Sequence, residues 1–308
     1  MELIFLGTGA GIPSKERNVS SIALSILHEV NNIWLFDCGE ATQHQILHTS
    51  IKPRKINKIF ITHLHGDHLY GLPGLLSSRS FQGGDNLLTV YGPKGIRQFI
   101  EVSLKTSGTH LTYPLEIVEL SSGKVFADDQ FEVYCRELEH GLPSFGFRIQ
   151  EKEQIGQLKV EKLKKTGIPP GPIYQQIKEN KITKLPSGKI LKRQDFIGPN
   201  KQGRSLSILG DTRSTEKNSN FVQDSDILIH EATFEHSAED LAYKYFHSTT
   251  TQAAQLAKEN NVKKLILTHI SSRYQKEDLP RLLEEARSIF PNTEMANDFY
   301  RYNVKHKR

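Results

Sequence analysis

Three histidines and one aspartate lie within six residues of this 308-residue chain, at His63, His65, Asp67 and His68. Imidazole and carboxylate groups are the protein ligands of zinc in catalytic sites, where one coordination position stays open. The preceding run, residues 58–62, is apolar and β-branched, which predicts a buried strand. Gly66 allows a turn that brings the last two ligands back toward the first two. The spacing therefore predicts a metal site, and a polar loop with chance histidines is the weaker alternative.

Three further residues of ligand type follow other apolar runs. His140 comes after residues 131–138, Asp211 after residues 207–210, and His269 after residues 265–268. Loops at one edge of a sheet are where such sites are built. Each residue alone would more often be structural, but with the cluster they form a set of seven candidate ligands.

Elements that could position these residues alternate along the chain. Runs of apolar residues predict strands, and amphipathic runs predict helices, so we expect sheets faced by helices. The predicted strands are 3–6, 22–27, 33–37, 58–62, 88–91, 131–138, 145–149, 206–210, 226–229 and 264–268. The predicted helices are 41–48, 71–79, 94–105, 238–245, 249–260 and 277–288.

Length and composition favour a single large α/β domain with an insertion. The chain has 37% hydrophobic and 24% charged residues, as is typical of globular proteins. We find no run of about 18 apolar residues that would span a membrane. Residues 1–7 read as a first strand rather than as a leader peptide.

The insertion is predicted at residues 151–204, where turn signals replace the regular pattern. This segment holds 13 Lys or Arg and 5 Asp or Glu, a net charge of +8, whereas the whole chain carries +5. Such a concentration of positive charge is typical of a surface that binds a polyanion. We expect a projecting arm with a helix near 159–165 and a hairpin near 186–188, and with little apolar core. A disordered loop is the alternative.

Two cysteines, Cys38 and Cys135, do not make a disulfide framework, so we expect a reducing, cytoplasmic location. Cys38 lies at the end of an apolar run and is predicted to be a buried structural thiol rather than a nucleophile.

The seven candidate ligands resemble those of the metallo-β-lactamase superfamily, whose His-x-His-x-Asp-His motif is matched by His63, His65, Asp67 and His68. The resemblance extends from Leu3 to about Phe299. It implies an αββα sandwich of two mixed sheets with helices outside. It also implies two zinc ions per subunit, one held by His63, His65 and His140, the other by Asp67, His68 and His269, with Asp211 between them.

Four shorter features are similar to those of the ribonuclease Z family within that superfamily. They are the loop Pro13–Asn18, the runs His230–Thr233 and His247–Thr249, and the basic insertion with Gly171 and Pro172. This resemblance implies a homodimeric endoribonuclease that removes the 3′ trailer from tRNA precursors and leaves a 3′-hydroxyl on the tRNA. It places Lys15 and Arg17 against nucleotides beyond the cut, and Gly171 and Pro172 in an arm that grips tRNA.

Catalytic roles follow from what hydrolysis of a phosphodiester needs. Asp67 is the candidate general base for a water held between the metals, and His247 is the candidate general acid. Glu231 is expected to orient His247. We interpret His230 as a packed histidine and residues 7–11 as a tight turn, because their glycine spacing differs from that of a dinucleotide-binding loop.

Two alternative functions remain at this level. One is a small-molecule hydrolase on the same fold, such as a lactonase or thioesterase, for which the charged insertion would have no use. The other is a catalytically silent RNA-binding protein, which predicts that a ligand position has been lost, whereas all seven are present. The ligand types favour zinc, and manganese or iron would also fit them. Arg273 is suited either to a phosphate or to an acidic partner.

Overall fold

Residues 1–306 are described by a computed structural model and form two compact units. The larger unit comprises residues 1–150 and 205–304, and the smaller one comprises residues 151–204 with residues 305 and 306. Among the described residues, we find no helix that has both the length and the apolar character needed to cross a bilayer.

The first sheet of the larger unit has seven strands, and its sequence is rich in buried aliphatic and aromatic residues. The strands Asn32–Phe36, Ile56–Phe60, Leu88–Gly92 and Leu115–Glu119 run parallel to one another. In spatial order the strands are Arg301–Asn303, Glu2–Gly7, Ser21–Ile26, Asn32–Phe36, Ile56–Phe60, Leu88–Gly92 and Leu115–Glu119.

The second sheet also has seven strands and is parallel at one side and antiparallel at the other. In spatial order its strands are Thr293–Met295, Leu265–Thr268, Ile227–Glu231, Ser205–Ile208, Ser144–Glu151, Phe131–Leu138 and Gly123–Ala127. A short parallel pair, Gly9–Ala10 with Ile270–Ser271, lies outside both sheets.

Three apolar clusters fix the layers of the larger unit. Trp34 and Phe60 of the first sheet and Phe147 of the second share one cluster, so the two sheets face each other. A second cluster joins the other face of the first sheet to helices, and a third does the same for the second sheet. The expected arrangement of two mixed sheets with helices outside is thus confirmed.

The six helices predicted for this unit are present, with shifts of one or two residues at their ends. The prediction missed short helices, including the turn that carries Asp67 and His68. The helices are Leu27–Val30, Thr42–Leu47, Gly66–Leu69, Leu72–Phe81, Ile96–Thr106, Ser219–Val222, Glu239–Lys244, Thr250–Glu259 and Leu279–Ile289. Pro53–Lys55, Glu216–Asn218 and His236–Ala238 are 3-10 turns.

Gly66 is required for a different reason from the one expected. Its backbone begins an ordinary helical turn, and a β-carbon there would lie 2.2 Å from the ring of Tyr70. The missing side chain therefore makes room for the ring rather than permitting an unusual backbone conformation.

The smaller unit contains the predicted helix, at Val160–Lys165, and the predicted hairpin, formed by Ile182–Lys184 and Ile190–Lys192. It also contains the helices Pro172–Glu179 and Arg193–Phe196, which were not predicted. The expectation of little core was wrong. The unit has its own buried apolar cluster, formed by Leu163, Ile168, Ile177, Leu191 and Phe196.

A buried ion pair joins the first and last residues of the inserted segment 151–204. The Arg204 guanidinium donates to both Glu151 carboxylate oxygens, with Nε to Oε2 at 2.7 Å and Nη2 to Oε1 at 2.9 Å. Both side chains are almost fully buried, and the backbone N–H of Glu151 donates to the Arg204 carbonyl at 2.8 Å. Burial by itself would raise the pKa of Glu151, but the hydrogen bonds from Arg204 outweigh it and lower the pKa.

We expect this pair to make the smaller unit sensitive to acid. Because the folded-state pKa of Glu151 is lowered, its contribution to stability is present above about pH 4.5 and is lost as the pH falls below that value. Hydrogen exchange of amides in residues 151–204, corrected for intrinsic rates, should show this loss of protection. The Glu151→Gln variant should exchange faster at pH 7 and lack that component of the acid response. An identical acid profile in the variant would contradict the role of the pair.

Candidate metal centre

Parallel pairing places the ends of several strands at common sheet edges. Phe36 lies opposite Phe60 in the first sheet, so Asp37 and the loop at residues 61–65 begin side by side. Glu231 lies opposite Thr268 in the second sheet, which brings the loop after Glu231 next to His269. Because the two sheets face each other, these loops converge on one site.

One group of ligand atoms comes from His63, His65, His140 and Asp211, all within 4.8 Å of one another. His65 Nδ1 lies 2.9 Å from His63 Nε2 and 3.2 Å from His140 Nε2. Asp211 Oδ2 lies 3.6 Å from His63 Nε2.

A second group comes from Asp67, His68 and His269. His269 Nε2 lies 3.2 Å from His68 Nε2 and 3.3 Å from Asp67 Oδ2. The same Asp211 Oδ2 atom lies 3.5 Å from His68 Nε2 and 3.3 Å from His269 Nε2. One carboxylate oxygen therefore lies within 3.6 Å of nitrogens from both groups.

These separations suit metal ions. A tetrahedral ion with bonds of about 2.0–2.1 Å to nitrogen or oxygen holds its ligand atoms about 3.3 Å apart. The distances given above run from 2.9 to 3.6 Å. The structure thus brings all seven predicted ligands together in two groups, with Asp211 close to both, and the arrangement fits two neighbouring cations. A ring nitrogen of His247 also lies within 4.8 Å of ligand atoms of Asp211 and His269.

Outer hydrogen bonds orient the ligands contributed by the first sheet. Asp37 accepts from His68 Nδ1 at 2.7 Å and from the Thr62 hydroxyl at 2.9 Å. Because that hydroxyl donates to Asp37, it accepts from His63 Nδ1, which lies 3.0 Å away. Both rings therefore direct Nε2 into the site, as metal ligands require.

Residues that follow strands of the second sheet orient two further ligands, His269 and His140. The Thr233 hydroxyl donates to Glu231 and accepts from His269 Nδ1 at 2.9 Å. His140 Nδ1 donates to the Phe246 carbonyl at 2.9 Å. His269 and Phe246 both have a left-handed backbone, at φ 57° and 62°, a conformation that clusters at functional sites.

The charge state of the site also suits cations. Burial lowers the pKa of His63, His65 and His140, so these three imidazoles are neutral at physiological pH. Burial would also lower the pKa of His68, but the negative charges of Asp211, Asp37 and Asp67 outweigh it and raise the pKa instead. Burial would raise the pKa of Asp211, but the neighbouring His269 and His68 outweigh it and hold the pKa well below its ordinary value. Neutral imidazoles and ionised carboxylates are the forms that bind a metal.

A histidine–glutamate pair lies beside the ligands. His247 Nδ1 is 2.9 Å from Glu231 Oε1 and 3.9 Å from Asp211 Oδ2. The backbone N–H groups of Thr212 and Thr233 also donate to Glu231, which fixes the carboxylate. Burial lowers the pKa of His247, but the charge of Glu231 outweighs it and raises the pKa to about 9. The imidazole is therefore protonated at neutral pH and can donate a proton.

The position of His247 depends on the helix that follows it. Thr249 caps this helix, Thr250–Glu259, by accepting from the backbone of Gln252, whose side chain in turn accepts from the Thr249 N–H. His247 N–H donates to the Ala242 carbonyl at 2.8 Å. The backbone of His247 is thus fixed on both sides.

His230 is buried, as predicted, and its Nδ1 donates to the Glu231 carbonyl.

Comparison with known proteins decides the family. The chain is 60% identical over 306 residues to Ribonuclease Z of Oceanobacillus iheyensis, covering 99% of this chain and all of that one. It is 57% identical over 304 residues to Ribonuclease Z of Geobacillus kaustophilus, with 99% of each chain covered. The chain belongs to the ribonuclease Z family. As a member, it is an endoribonuclease, a hydrolase of phosphodiester bonds.

One solved structure agrees with this placement, and one family model of another description matches the N-terminal half. The crystal structure of the short form of human tRNase Z superposes with a TM-score of 0.70 at 31% identity, covering 99% of this chain and all of that one. Residues 1–156 match the family model described as Anti-Pycsar protein Apyc1. That match includes the first five candidate ligands and ends before Asp211 and His269, which the ribonuclease Z relatives span.

The loop Pro13–Asn18 is one of the features shared with the ribonuclease Z family, and its two cationic side chains differ in exposure. Lys15 is exposed. Arg17 is only 7% exposed, and its guanidinium donates to Thr8 Oγ1, the Ala296 carbonyl and Asn297 Oδ1. The expectation that Arg17 faces the substrate therefore needs correction, because its charge holds the loop to the C-terminal segment.

Gly171 and Pro172 lie in the smaller unit, both exposed, at the start of the helix Pro172–Glu179. Proline suits the first position of a helix, since its missing N–H is not needed there. Arg273, whose role the sequence left open, stacks over the Phe234 ring at 4.7 Å.

Arg213 ties three site-forming loops together. Its backbone N–H donates to the Glu139 carbonyl, next to His140, and its Nε donates to the Tyr243 carbonyl at 2.6 Å. The guanidinium lies 3.9 Å from the Tyr243 ring centre and 3.7 Å from that of Phe246. This stack supports the Phe246 carbonyl that orients His140.

Replacing Arg213 with alanine should therefore weaken the site without touching a ligand. We expect a fall of about 10–100-fold in metal affinity or cleavage rate, the range typical of lost outer-shell partners. Metal content and single-turnover cleavage of RNA are the measurements. Arg54→Ala, which removes an exposed arginine, is the matched control. Wild-type metal content and rate in Arg213→Ala would contradict the inference.

Several groups that complete the site were not predicted from the sequence. They are Gly11, whose N–H donates to Asp67 Oδ2 at 2.8 Å, and Asp37, Thr62, Arg213, Thr233 and the Phe246 carbonyl. One of them had a usable signal. Asp37 is the last residue of a predicted apolar strand, and Asp211 and His269 directly follow theirs. The others are recognised only by their contacts.

Proposed function

We propose that this chain is a zinc-dependent endoribonuclease that cleaves the 3′ trailer from tRNA precursors. The products would be a 3′-hydroxyl on the tRNA and a 5′-phosphate on the trailer. The observation that carries the proposal is the convergence of seven candidate ligand side chains, with Asp211 Oδ2 within 3.6 Å of nitrogens from both groups, in a chain of this family. The human protein that superposes on this chain is a tRNase Z. The relatives give no support to a lactonase or thioesterase.

The proposed zinc ligands follow the two groups. His63, His65 and His140 would hold one ion, and Asp67, His68 and His269 the other, with Asp211 shared. When bound, two such ions lower the pKa of water and neutralise charge on a phosphodiester.

The chain's own side chains would supply the proton transfers. Asp67 Oδ2 faces the ligand nitrogens and accepts from the Gly11 N–H at 2.8 Å, so Asp67 Oδ1 is assigned to accept the proton of the attacking water. His247 donates a proton to the 3′-oxygen of the tRNA as the bond from that oxygen to phosphorus breaks. Glu231 keeps His247 protonated and directs its Nδ1 away from substrate, which assigns Nε2 as the donor.

Substrate binding would use the basic regions. Lys15 is placed to contact nucleotides beyond the cut, and Arg17 is assigned to hold that loop. The smaller unit, with Gly171 and Pro172, would bind the folded tRNA as an inserted arm. Its charge of +8 supports salt-dependent contacts with phosphates, which recognise shape more than sequence.

The proposal includes a homodimer and a cytoplasmic location. The homodimer follows from the family resemblance. Both cysteines are buried and unpaired, and burial raises the pKa of the Cys38 thiol, which suits a reducing compartment and an unreactive side chain.

The test is incubation of the purified protein with an end-labelled tRNA precursor that carries a 3′ trailer. We expect a single cut near the discriminator base, lost in the Asp67→Ala variant and after chelation, and restored to the chelated protein by added zinc. Turnover of a small ester or thioester by the metal-loaded protein, with no cut in the precursor, would overturn the proposal.

A further inference from the structure

Three exposed rings form a continuous row on the larger unit. The rings of His44 and His48 are 5.1 Å apart, and the rings of His48 and Phe299 are 5.7 Å apart. His44 and His48 are four residues apart, so they share one face of the short helix Thr42–Leu47 and its end. Phe299 is 39% exposed, so its ring is accessible from solvent.

This row adjoins a cleft that is lined by the segment after His269 and by the loop after Gly11, whose N–H donates to Asp67 Oδ2 at 2.8 Å. The cleft has a volume of about 680 Å³, and its lining includes Lys15, Gln45, Ser271, Lys276 and Phe299. Ser271 lies two residues beyond a metal ligand, while Phe299 belongs both to the cleft and to the row. A strand of nucleotides leaving the centre through the cleft would therefore reach the rings.

The geometry of the row is fixed before any ligand binds. Phe299 has a left-handed backbone at φ 65°, and its N–H donates to the Phe5 carbonyl at 2.6 Å. The preceding residue, Asp298, accepts from Thr8 Oγ1 at 2.7 Å and from Gln45 Nε2 at 2.9 Å. Gln45 in turn belongs to the helix that carries His44. These contacts hold the phenyl ring beside the helix, so little conformational entropy is lost on binding.

We propose that His44, His48 and Phe299 form a stacking platform for unpaired bases of the 3′ trailer. The inference rests on the proposed function and names where that substrate leaves the site. Aromatic rings along a basic groove are the common means of binding single-stranded RNA, since every base has a face that stacks.

The charges beside the centre favour this cleft for the trailer. A second groove beside His140 is lined by Glu137, Glu139 and Lys217, whereas the cleft is lined by three cations, Lys15, Arg17 and Lys276, and two acids, Glu16 and Asp298. It adjoins the Phe246–His247 segment, through the hydrogen bond between His140 and the Phe246 carbonyl. Because His247 is proposed to donate a proton to the 3′-oxygen of the tRNA, the 3′ end of the tRNA lies on the side of His247. The trailer, with its phosphates, is then left to the cleft that contains Lys15 and Lys276.

The experiment compares two precursors of one tRNA, with trailers of two and of ten nucleotides. The double variant His44→Ala/His48→Ala should raise the KM for the long-trailer precursor by about tenfold or more. The KM for the short-trailer precursor should rise less, so that the ratio of the two KM values increases. The kcat for both precursors should stay near that of the wild type. Leu47→Ala, which removes an exposed apolar side chain from the same helix, is the matched control.

A second variant separates stacking from the charge and hydrogen bonding of imidazole. His48→Phe keeps a ring in the row and should retain the wild-type KM for the long trailer. Equal changes in KM for both precursors, or no change for the long one, would overturn the platform. If the wild-type protein cuts neither precursor, the proposed function fails and the platform falls with it, whereas cleavage without dependence on the row rejects the platform alone.

Discussion

Replacing Asp211 with alanine is expected to abolish RNA cleavage and to lower the bound metal. Asp211 Oδ2 lies 3.3–3.6 Å from ligand nitrogens of both groups, so no other side chain among the seven can take its place. A fall in rate on the order of a thousandfold or more corresponds to about 4 kcal/mol of lost transition-state stabilisation. Single-turnover cleavage and elemental analysis of the purified protein measure the two effects.

The matched controls for this substitution separate charge from packing. Asp211→Asn keeps the size of the side chain but removes its negative charge. Its cleavage rate and metal content should fall nearly as far as those of Asp211→Ala. Asp85→Ala removes an exposed aspartate and should behave as wild type. Full metal content in Asp211→Asn, with a rate within tenfold of wild type, would contradict the shared-ligand role.

Replacing His247 with glutamine is the second large effect that we expect. The rate of precursor cleavage should fall by about 10²–10⁴-fold, because the 3′-oxygen would leave without a proton. Metal content should be unchanged, since His247 is assigned to neither ion. Hydrolysis of bis(p-nitrophenyl) phosphate should be much less affected, because nitrophenolate is a stable anion that leaves without protonation.

Two further variants refine this result. Glu231→Gln should reduce precursor cleavage in the same selective way, because Glu231 holds the ring at 2.9 Å and raises the pKa of His247 to about 9. His110→Gln, which alters an exposed histidine, is the matched control. An equal loss on both substrates in His247→Gln would indicate damage to the metal centre and would rule out the general-acid assignment.

Part of this metal centre could be predicted from the sequence alone. The four ligands at residues 63–68 could be recognised because their spacing is local and needs no knowledge of the fold. His140, Asp211 and His269 could be suspected because each follows an apolar strand. Their meeting in one place depends on the pairing of Phe36 with Phe60 and of Glu231 with Thr268, which the sequence does not state.

Edge strands and the insertion show where pattern reading failed. Leu115–Glu119 and Gly123–Ala127 were missed because they lie at the edges of their sheets and have exposed, charged residues among the apolar ones. The helix Pro172–Glu179 was missed because its Gly-Pro start is also a turn signal. The small core of residues 151–204 was missed because its apolar residues are far apart along the chain.

The sequence by itself determined the chemistry of this protein: the ligand types, their local spacing, the order of strands and helices, and the concentration of positive charge. These follow from side-chain chemistry and from periodicity, which are local properties. Only the tertiary structure decided which groups orient the ligands, that Arg17 is buried, and that His44, His48 and Phe299 form one row. Such contacts join residues far apart along the chain, 280 positions in the case of Arg17 and Asn297, and they exist only after the sheets have packed.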